Sequence, residues 1–165
     1  MSGDDNKAVV RRFVEEVQGK GNLAVIDELF SADYIDHSGL AGSEDLEATK
    51  RFFQMFAGAF ADQAVTIDDQ IAEGDKVVTR KVLHGTHVGP FMGIPPTGKR
   101  LTVQVIDIFR VSEGKIAEHW AITDRFGMMQ QLGMMPAPGG PGGPGGGPGG
   151  PGGGGPGGPG GLSAG

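Results

Sequence analysis

A carboxylate, an imidazole and the only tryptophan of the chain stand together at Glu118, His119 and Trp120, and a second carboxylate follows at Asp124. Such carboxylates and imidazoles can move protons, and burial in an apolar cavity raises the pKa of a carboxyl group toward that task. Alternate residues of a strand share a face, so we expect Trp120 and Asp124 to line one cavity, with His119 on the opposite face unless a β-bulge turns it inward. Structural roles are the alternative: Asp124 could cap the strand end or pair with Arg125, and His119 could bond to the backbone.

A hairpin of two long strands would position this stretch. Residues 101–111 are rich in apolar side chains, residues 115–123 carry the acid–base pattern, and residues 112–115 are typical of a tight turn. Residues 65–72 and 76–87 alternate between apolar and polar side chains in the same way. The pattern therefore predicts four antiparallel strands in the second half of the domain.

Three helices are predicted before these strands. Residues 4–18 and about 44–60 place apolar side chains at helical spacing, and a shorter helix follows Asn22, which is a good N-cap. Ser43 is expected to cap the third helix, whose phenylalanines form a broad apolar face. Most of them should pack in the core, with one or two, such as Phe56, at the wall of a ligand cavity. Helices packed on one face of an antiparallel sheet make an α+β architecture.

Three segments lie outside these regular elements. Residues 31–42 are expected to form a short strand or an extended loop, and residues 124–135 form a segment rich in Met after the last predicted strand. From residue 139 to residue 161 the chain contains only Gly and Pro, which cannot offset the entropy of ordering a segment without apolar side chains. We therefore predict one domain over residues 1–135 and a disordered tail over residues 136–165.

The composition argues against several classes of partner. The net charge of -6 and the pI of about 5.1 are unlike those of a nucleic-acid-binding protein. The chain contains no Cys, which excludes disulfides and thiolate metal sites. The polar, acidic start from Met1 to Lys7 and the lack of an apolar run of membrane length predict a cytoplasmic protein without a membrane partner.

Several short motifs match one known family in order and spacing. They are Tyr34-Ile35-Asp36-His37, residues 71–78, Gly85-Thr86-His87, residues 93–99, and Gly114-Lys115-Ile116 with Glu118, Trp120 and Asp124. Over residues 6–133 the chain resembles the SnoaL-like polyketide cyclases, a branch of the NTF2-like superfamily. The resemblance implies a cone in which three N-terminal helices pack on a curved, mostly antiparallel sheet, and it implies homodimers that form through the sheet.

The resemblance also implies roles for individual residues. In these cyclases the residue that matches Asp124 is the acid/base of an intramolecular aldol closure, which uses no metal and no cofactor. Asp36 and His37, which follow Tyr34, would lie at the cavity mouth, where His37 could donate a hydrogen bond to a substrate oxygen. A turn is the structural alternative for this segment, because Asp36 and Ser38 both suit turns.

Asp107 lies in the middle of a predicted strand among apolar residues, where a carboxylate is costly to bury unless it is paired or protonated. Its place resembles the cavity carboxylate of the ketosteroid isomerases, and a pair with Arg80 or His84 is the alternative. His84 and His87 make a weak metal motif, since their side chains diverge on a strand, and no metal is predicted. Phe91 is expected in an apolar loop at the cavity entrance.

These residues support three hypotheses. The first is a cofactor-independent cyclase that holds a hydrophobic, carbonyl-bearing small molecule between Trp120, the Phe-rich helix and the Phe91 loop, with Asp124 moving the proton. The groups that would stabilise the enolate oxygen are His37, His119 or Arg80. The second is a binding module without catalysis, and the third is an interaction role through a homodimer. An isomerase or an epoxide hydrolase on the same fold stays open, the latter with a set of Asp107, Arg80 and Asp124.

Overall fold

The computed structural model describes residues 1–136, and the predicted Gly/Pro segment of residues 139–161 lies outside the described residues. Helix α1 spans Gly3–Phe13 and continues as a π-helical stretch, Val14–Gln18. Ser2 begins α1 with a capping box: its hydroxyl accepts the Asp5 N–H, and the Asp5 carboxylate accepts the Ser2 N–H. This reciprocal pair satisfies two backbone donors that have no partner inside the helix.

Two more helices precede the long strands. A short 3₁₀ turn, Leu23–Val25, leads into α2, Ile26–Leu29, and α3 spans Leu46–Ala59. Asp45 caps α3, since its carboxylate accepts a backbone N–H of the first turn at 2.8 Å. The prediction that Ser43 caps this helix is wrong: the Ser43 hydroxyl instead donates to the Asp45 carboxylate at 2.5 Å. The three predicted N-terminal helices are therefore present, and the N-cap of α3 is Asp45, two residues after the predicted Ser43.

Five strands form one sheet in the order β1-β5-β4-β3-β2. Their bounds are β1 Phe30–Asp36, β2 Phe60–Glu73, β3 Lys76–His87, β4 Arg100–Ser112 and β5 Lys115–Thr123. Adjacent strands are antiparallel except β1 and β5, which are parallel. The four-strand prediction missed β1 as a member of this sheet. A parallel neighbour needs a long crossover, so no hairpin signal marks it in the sequence.

The sheet curves around the helices. Two irregularities interrupt the pairing of β2 with β3, one between Ala61 and Ala64 and one between Ile67 and Asp69. Bulges of this kind bend a strand and increase its twist. With α1 and α3 packed on the inner face, the α+β cone is confirmed, and the sheet is mostly antiparallel as predicted.

The inner face of β4 is apolar except at one position. Its buried residues are Leu101, Val103, Val105, Asp107, Phe109 and Val111. Such alternation is typical of a strand with one face on the core. The hairpin therefore places a single carboxylate, that of Asp107, among large apolar side chains inside the cone.

The Met-rich segment of residues 124–135 contains a fourth helix that the sequence analysis did not predict. Helix α4 spans Arg125–Leu132 and ends at Gly133, whose φ of 82° is the left-handed conformation that suits glycine. Met128 and Leu132 are buried against apolar residues at the start of β4. Helix α4 thereby covers that end of the cone. No helix within residues 1–136 is long and apolar enough to cross a membrane.

Candidate active site

A cavity lies inside the cone between the sheet, α3, α4 and the loop of residues 88–99. Its apolar wall includes Leu40, Phe52, Phe53, Phe56, Phe60, Leu83, Phe91, Met92, Leu101, Val103, Val105 and Met128. Its polar lining falls into two groups, which differ in burial. Gln18, Asp36, Asp107 and His119 are buried, whereas Ser38, His84, Thr123 and Arg125 are partly or fully exposed. The cavity therefore has an aqueous end, an apolar middle and a buried polar end.

The buried polar end is a connected set of side chains, which we call the floor cluster: Gln18, Asp36, Lys81, Asp107 and His119. The two ring nitrogens of His119 each face a carboxylate, with Nε2 3.1 Å from Asp107 Oδ1 and Nδ1 3.4 Å from Asp36 Oδ1. Lys81 contacts the other oxygen of Asp107. Its Nζ also donates to Gln18 Oε1 at 2.5 Å. The floor cluster thus links two carboxylates, an imidazole, an ammonium and an amide through successive contacts.

Five separate elements supply the floor cluster. Gln18 ends the π-helical stretch, Asp36 ends β1, and the other three members lie on β3, β4 and β5. Asp36 is held on its other sides as well, since its carboxylate accepts the Ser38 N–H at 2.8 Å and the Thr49 hydroxyl at 3.3 Å. Because these partners are fixed by the sheet and by α3, the carboxylates can turn little.

A β-bulge brings His119 into the cavity. The register of β4 with β5 shifts after Arg110, which pairs with Glu118, so that both Ile116 and Ala117 are buried. One extra residue inverts the alternation beyond it. His119 therefore faces inward, with its ring stacked on that of Phe109 at 4.5 Å and 9° between the planes.

Burial sets the charge balance of the floor cluster. It lowers the pKa of His119, against the opposing influence of Asp36, so the neutral imidazole is favoured. Burial also lowers the pKa of Lys81, whereas contact with the Asp107 carboxylate favours its ammonium form, and we treat the two as a buried ion pair. For Asp36, burial would raise the pKa, but hydrogen bonds from His119 and Ser38 outweigh it and hold the pKa below its usual range. Asp36 is therefore ionised, and the neutral His119 donates its Nδ1 proton to Asp36 while its Nε2 faces Asp107.

Comparisons with known proteins agree with this architecture. The family model for SnoaL-like polyketide cyclases matches residues 8–132. The chain belongs to the SnoaL-like polyketide cyclase family. The prediction of an enzyme of cyclase type, made from the motifs around Glu118 and Trp120, is thereby confirmed.

Two curated members of the SnoaL-like family are close enough to compare along their length. The aklanonic acid methyl ester cyclase DnrD of Streptomyces peucetius is 30% identical over 137 residues, which cover 80% of this chain and 94% of that protein. The nogalonic acid methyl ester cyclase of Streptomyces nogalater is 30% identical over 118 residues, which cover 68% and 87%.

Solved structures give the same fold. TsrD from Streptomyces laurentii has a TM-score of 0.74 and 29% identity, covering 82% of this chain and 99% of that chain. IdmH from Streptomyces antibioticus has a TM-score of 0.67 and 34% identity, covering 81% and 99%. The SnoaL-like cone is thus shared across nearly the whole length of both proteins.

Two residues predicted to contact substrate lie outside the cavity of this SnoaL-like protein. Trp120 faces the outer side of the sheet, where its ring stacks on that of His37 at 4.7 Å and lies 5.6 Å from Lys76 Nζ. His37 also contacts Glu118 Oε2 at 3.0 Å. Trp120 does not line the cavity because the bulge turns His119 inward, and alternation then turns Trp120 outward. His37 follows the last residue of β1 and stacks on Trp120 on that outer side.

Asp124 is exposed and does not line the cavity. Its carboxylate caps α4 by accepting the Gly127 N–H at 2.8 Å. A Cβ at Gly127 would lie only 2.2 Å from Asp124 Oδ2, so the close fit of this cap depends on glycine. The expectation of an enclosed, apolar site around Asp124 is wrong, since the chain turns into a helix at this residue. Its expected role as acid/base stays a prediction.

Arg80 and Tyr34 also lie away from the cavity wall. Arg80 is on the outer face of the sheet, where its guanidinium pairs with Asp68 at 2.8 Å and with Asp69 at 2.6 Å. Tyr34 is buried in the apolar core, its ring 4.8 Å from that of Phe30. Burial raises the pKa of the Tyr34 hydroxyl, which favours its neutral form. Neither side chain is in place to bind a ligand inside the cone.

Phe56, Phe91 and Asp107 are in the cavity lining, as the sequence predicted. Asp107 has Lys81 as its partner rather than Arg80 or His84, because odd-numbered residues of β3 face inward at this level of the sheet. His87 is buried and accepts the Thr97 N–H on Nδ1 at 3.3 Å, which fixes the loop that carries Phe91.

Sequence reasoning missed two members of the floor cluster, Lys81 and Gln18, and it placed a third, Asp36, at the cavity mouth rather than at the buried end of the cavity. Lys81 carried a signal, since it shares the inner face of β3 with Val77 and Thr79 and is the only charge among them. Gln18 carried none, because its partner Lys81 is distant in the chain. Within residues 1–136, no group of three or more His, Cys, Asp or Glu side chains is arranged to hold a metal ion.

Proposed function

We propose that this chain closes a ring in a hydrophobic, carbonyl-bearing polyketide by intramolecular aldol addition. Asp107 acts as the base, and His119 accepts the proton from Asp107 while the ring closes. The observation that carries the proposal is the 3.1 Å contact between Asp107 and His119 at the buried end of an apolar cavity. The names of the curated relatives, which are cyclases of polyketide acid methyl esters, support the same reaction class.

Each step can be assigned to an atom of the floor cluster. A carboxylate oxygen of Asp107 removes a proton from a carbon next to a carbonyl group, and the resulting enolate attacks a second carbonyl carbon of the same molecule. The proton moves from Asp107 to Nε2 of His119, where the neutral imidazole offers a lone pair. Because burial lowers the pKa of His119, the imidazolium gives the proton up again readily. The alkoxide formed on ring closure takes the proton back. No atom is gained or lost, so the reaction is an isomerisation.

The apolar middle of the cavity supports a hydrophobic substrate. The cavity volume is about 80 Å³. Ligand sites usually measure about 300–1,000 Å³, so the wall must open when a substrate binds. Phe56 is partly exposed, Met92 is exposed, and neither belongs to the core around Phe13, so both can move without unpacking it.

A simple proton shift without ring closure is a second candidate, because it needs only the base at Asp107. An epoxide hydrolase with Asp107, Arg80 and Asp124 is not supported. Arg80 is engaged with Asp69 on the outer face, and Asp124 caps α4.

The partial reaction provides a direct test. The protein should catalyse exchange of the hydrogens next to the carbonyl of α-tetralone, a bicyclic aryl ketone, when both are incubated in D₂O. The physical reason is that Asp107 removes this proton before any ring closes, so exchange needs no second carbonyl. Mass spectrometry measures the gain of deuterium. If the ketone raises the melting temperature yet no exchange occurs above the uncatalysed rate, the proposal fails.

We also propose that the outer face of the sheet pairs two copies of the chain. Ile71, Ile106 and Ile122 are 65%, 48% and 80% exposed on this face. Ile106 and Ile122 are cross-strand partners, so together they form an apolar surface that association would bury. A cytoplasmic location stays a prediction of the sequence.

Sedimentation velocity should find a dimer that Ile122→Glu converts to monomer. The reason is that a buried, unpaired carboxylate in the interface opposes association. Met55→Glu is the matched control, because Met55 is exposed on α3 rather than on the sheet. A wild-type monomer, or a dimer that both variants leave intact, contradicts pairing through this face.

A further inference from the structure

Arg125 is a charged side chain of the cavity lining that the proposed chemistry does not use. It is exposed on the first turn of α4 and lines the accessible end of the cavity. Arg12, Arg80 and Arg110 have carboxylate partners. Within residues 1–136, Arg125 has no carboxylate partner. The neighbouring Asp124 does not pair with it, because the Asp124 carboxylate accepts the Gly127 N–H as the N-cap of α4. The guanidinium is therefore free to bind a group of a ligand.

The two ends of the cavity differ in charge. The floor cluster contains the carboxylates of Asp36 and Asp107, of which Asp107 alone is paired with Lys81, whereas the guanidinium of Arg125 lies at the other end, two residues beyond Thr123. An anionic group on a ligand is repelled by the floor and attracted to the other end. An acidic ligand would therefore bind in one orientation, with its neutral carbonyl part toward Asp107.

The strand geometry gives the length of such a ligand. His119 and Thr123 both line the cavity and are four residues apart on β5. At the rise of a strand this separation is about 13 Å. A fused-ring skeleton can span that distance, with its reacting carbon at one end and an acidic group at the other.

We propose that Arg125 forms a carboxylate-binding subsite at the accessible end of the cavity, and that the substrate of this cyclase carries a free carboxylic acid. The inference rests on the proposed function and adds the class of substrate. A carboxylate can accept two parallel hydrogen bonds from a guanidinium, whereas a methyl ester carries no charge. The chain would thus differ from the relatives whose names specify methyl esters.

The test compares one rigid ketone in two forms, 9-fluorenone-2-carboxylic acid and its methyl ester. Titration calorimetry should find that wild-type protein binds the acid about tenfold more tightly than the ester, as expected for a charge-assisted pair. Arg125→Gln should abolish this preference and leave the affinity for the ester unchanged. Arg125→Lys should retain part of it, because the charge stays but the planar fork is lost.

Arg100→Gln is the matched control. Arg100 is exposed at the start of β4 and does not line the cavity, so this variant has the same net charge as Arg125→Gln. It should keep the preference for the acid. Equal binding of acid and ester by the wild type, or a preference that survives in Arg125→Gln, overturns the subsite and leaves the proposed cyclase function standing. Binding of neither probe counts against both.

Discussion

Replacing Asp107 by Asn should lower kcat for ring closure, and the rate of α-tetralone exchange, by about 10²- to 10⁴-fold. The amide keeps the shape of the carboxylate but cannot accept a proton from carbon. KM should change little, because the apolar wall around Phe56 and Phe91 provides most of the binding. Steady-state kinetics with wild-type and variant protein at neutral pH measures both constants.

Asp124→Asn is the matched control for this substitution. It makes the same change from carboxylate to amide, and Asn is as good an N-cap as Asp, so α4 should stay intact. We expect kcat to change less than threefold, on the order expected when no reacting group is removed. An inactive Asp124→Asn beside an active Asp107→Asn would reverse the assignment and favour the role that the family resemblance implies for Asp124.

Loss of fold must be separated from loss of the base. Asp107→Asn leaves the ammonium of Lys81 without its carboxylate partner. The double substitution Asp107→Asn with Lys81→Met removes both charges and should fold where the single variant does not. If the folded double variant binds ketone but exchanges deuterium at the wild-type rate, Asp107 is not the base.

The sequence was sufficient for the parts of this structure that depend on local periodicity. The hairpin of β4 and β5 follows from a turn between two alternating runs, and α3 follows from phenylalanines at helical spacing. Asp107 could be singled out because it is one charge on an otherwise apolar face. These signals need no knowledge of distant contacts.

The orientation of β5 was out of reach for the same reasoning. A single extra residue near Ala117 decides whether His119 or Trp120 faces the cavity, and neither Gly nor Pro marks the bulge. Helix α4 was missed because its apolar side chains do not form a clear stripe. Because α4 was not predicted, the sequence interpretation placed Asp124 at the end of a strand, whereas it is the N-cap residue of α4.

Lys81→Met should lower the free energy of unfolding by about 3–5 kcal/mol at pH 7, since it removes one partner of a buried ion pair. The side chains of Lys81 and Asp107 are 0% and 2% exposed, so water cannot replace the missing ammonium. Met has nearly the length of Lys, and the packing beside Phe109 should be kept. Denaturation with guanidinium chloride measures the loss. Arg80→Met, which breaks an exposed pair with Asp69, should cost far less, because water solvates the separated charges.

A double-mutant cycle separates the charge effect from packing. Adding Asp107→Asn to Lys81→Met removes the orphaned carboxylate, so the double variant should regain much of the stability that the single variant loses. Strictly additive losses would mean that the two side chains stabilise the cone independently. The double variant could instead regain stability but not turnover. That result would mean that the fold does not need the buried pair, and that the Asp107 carboxylate serves the chemistry at the cavity floor.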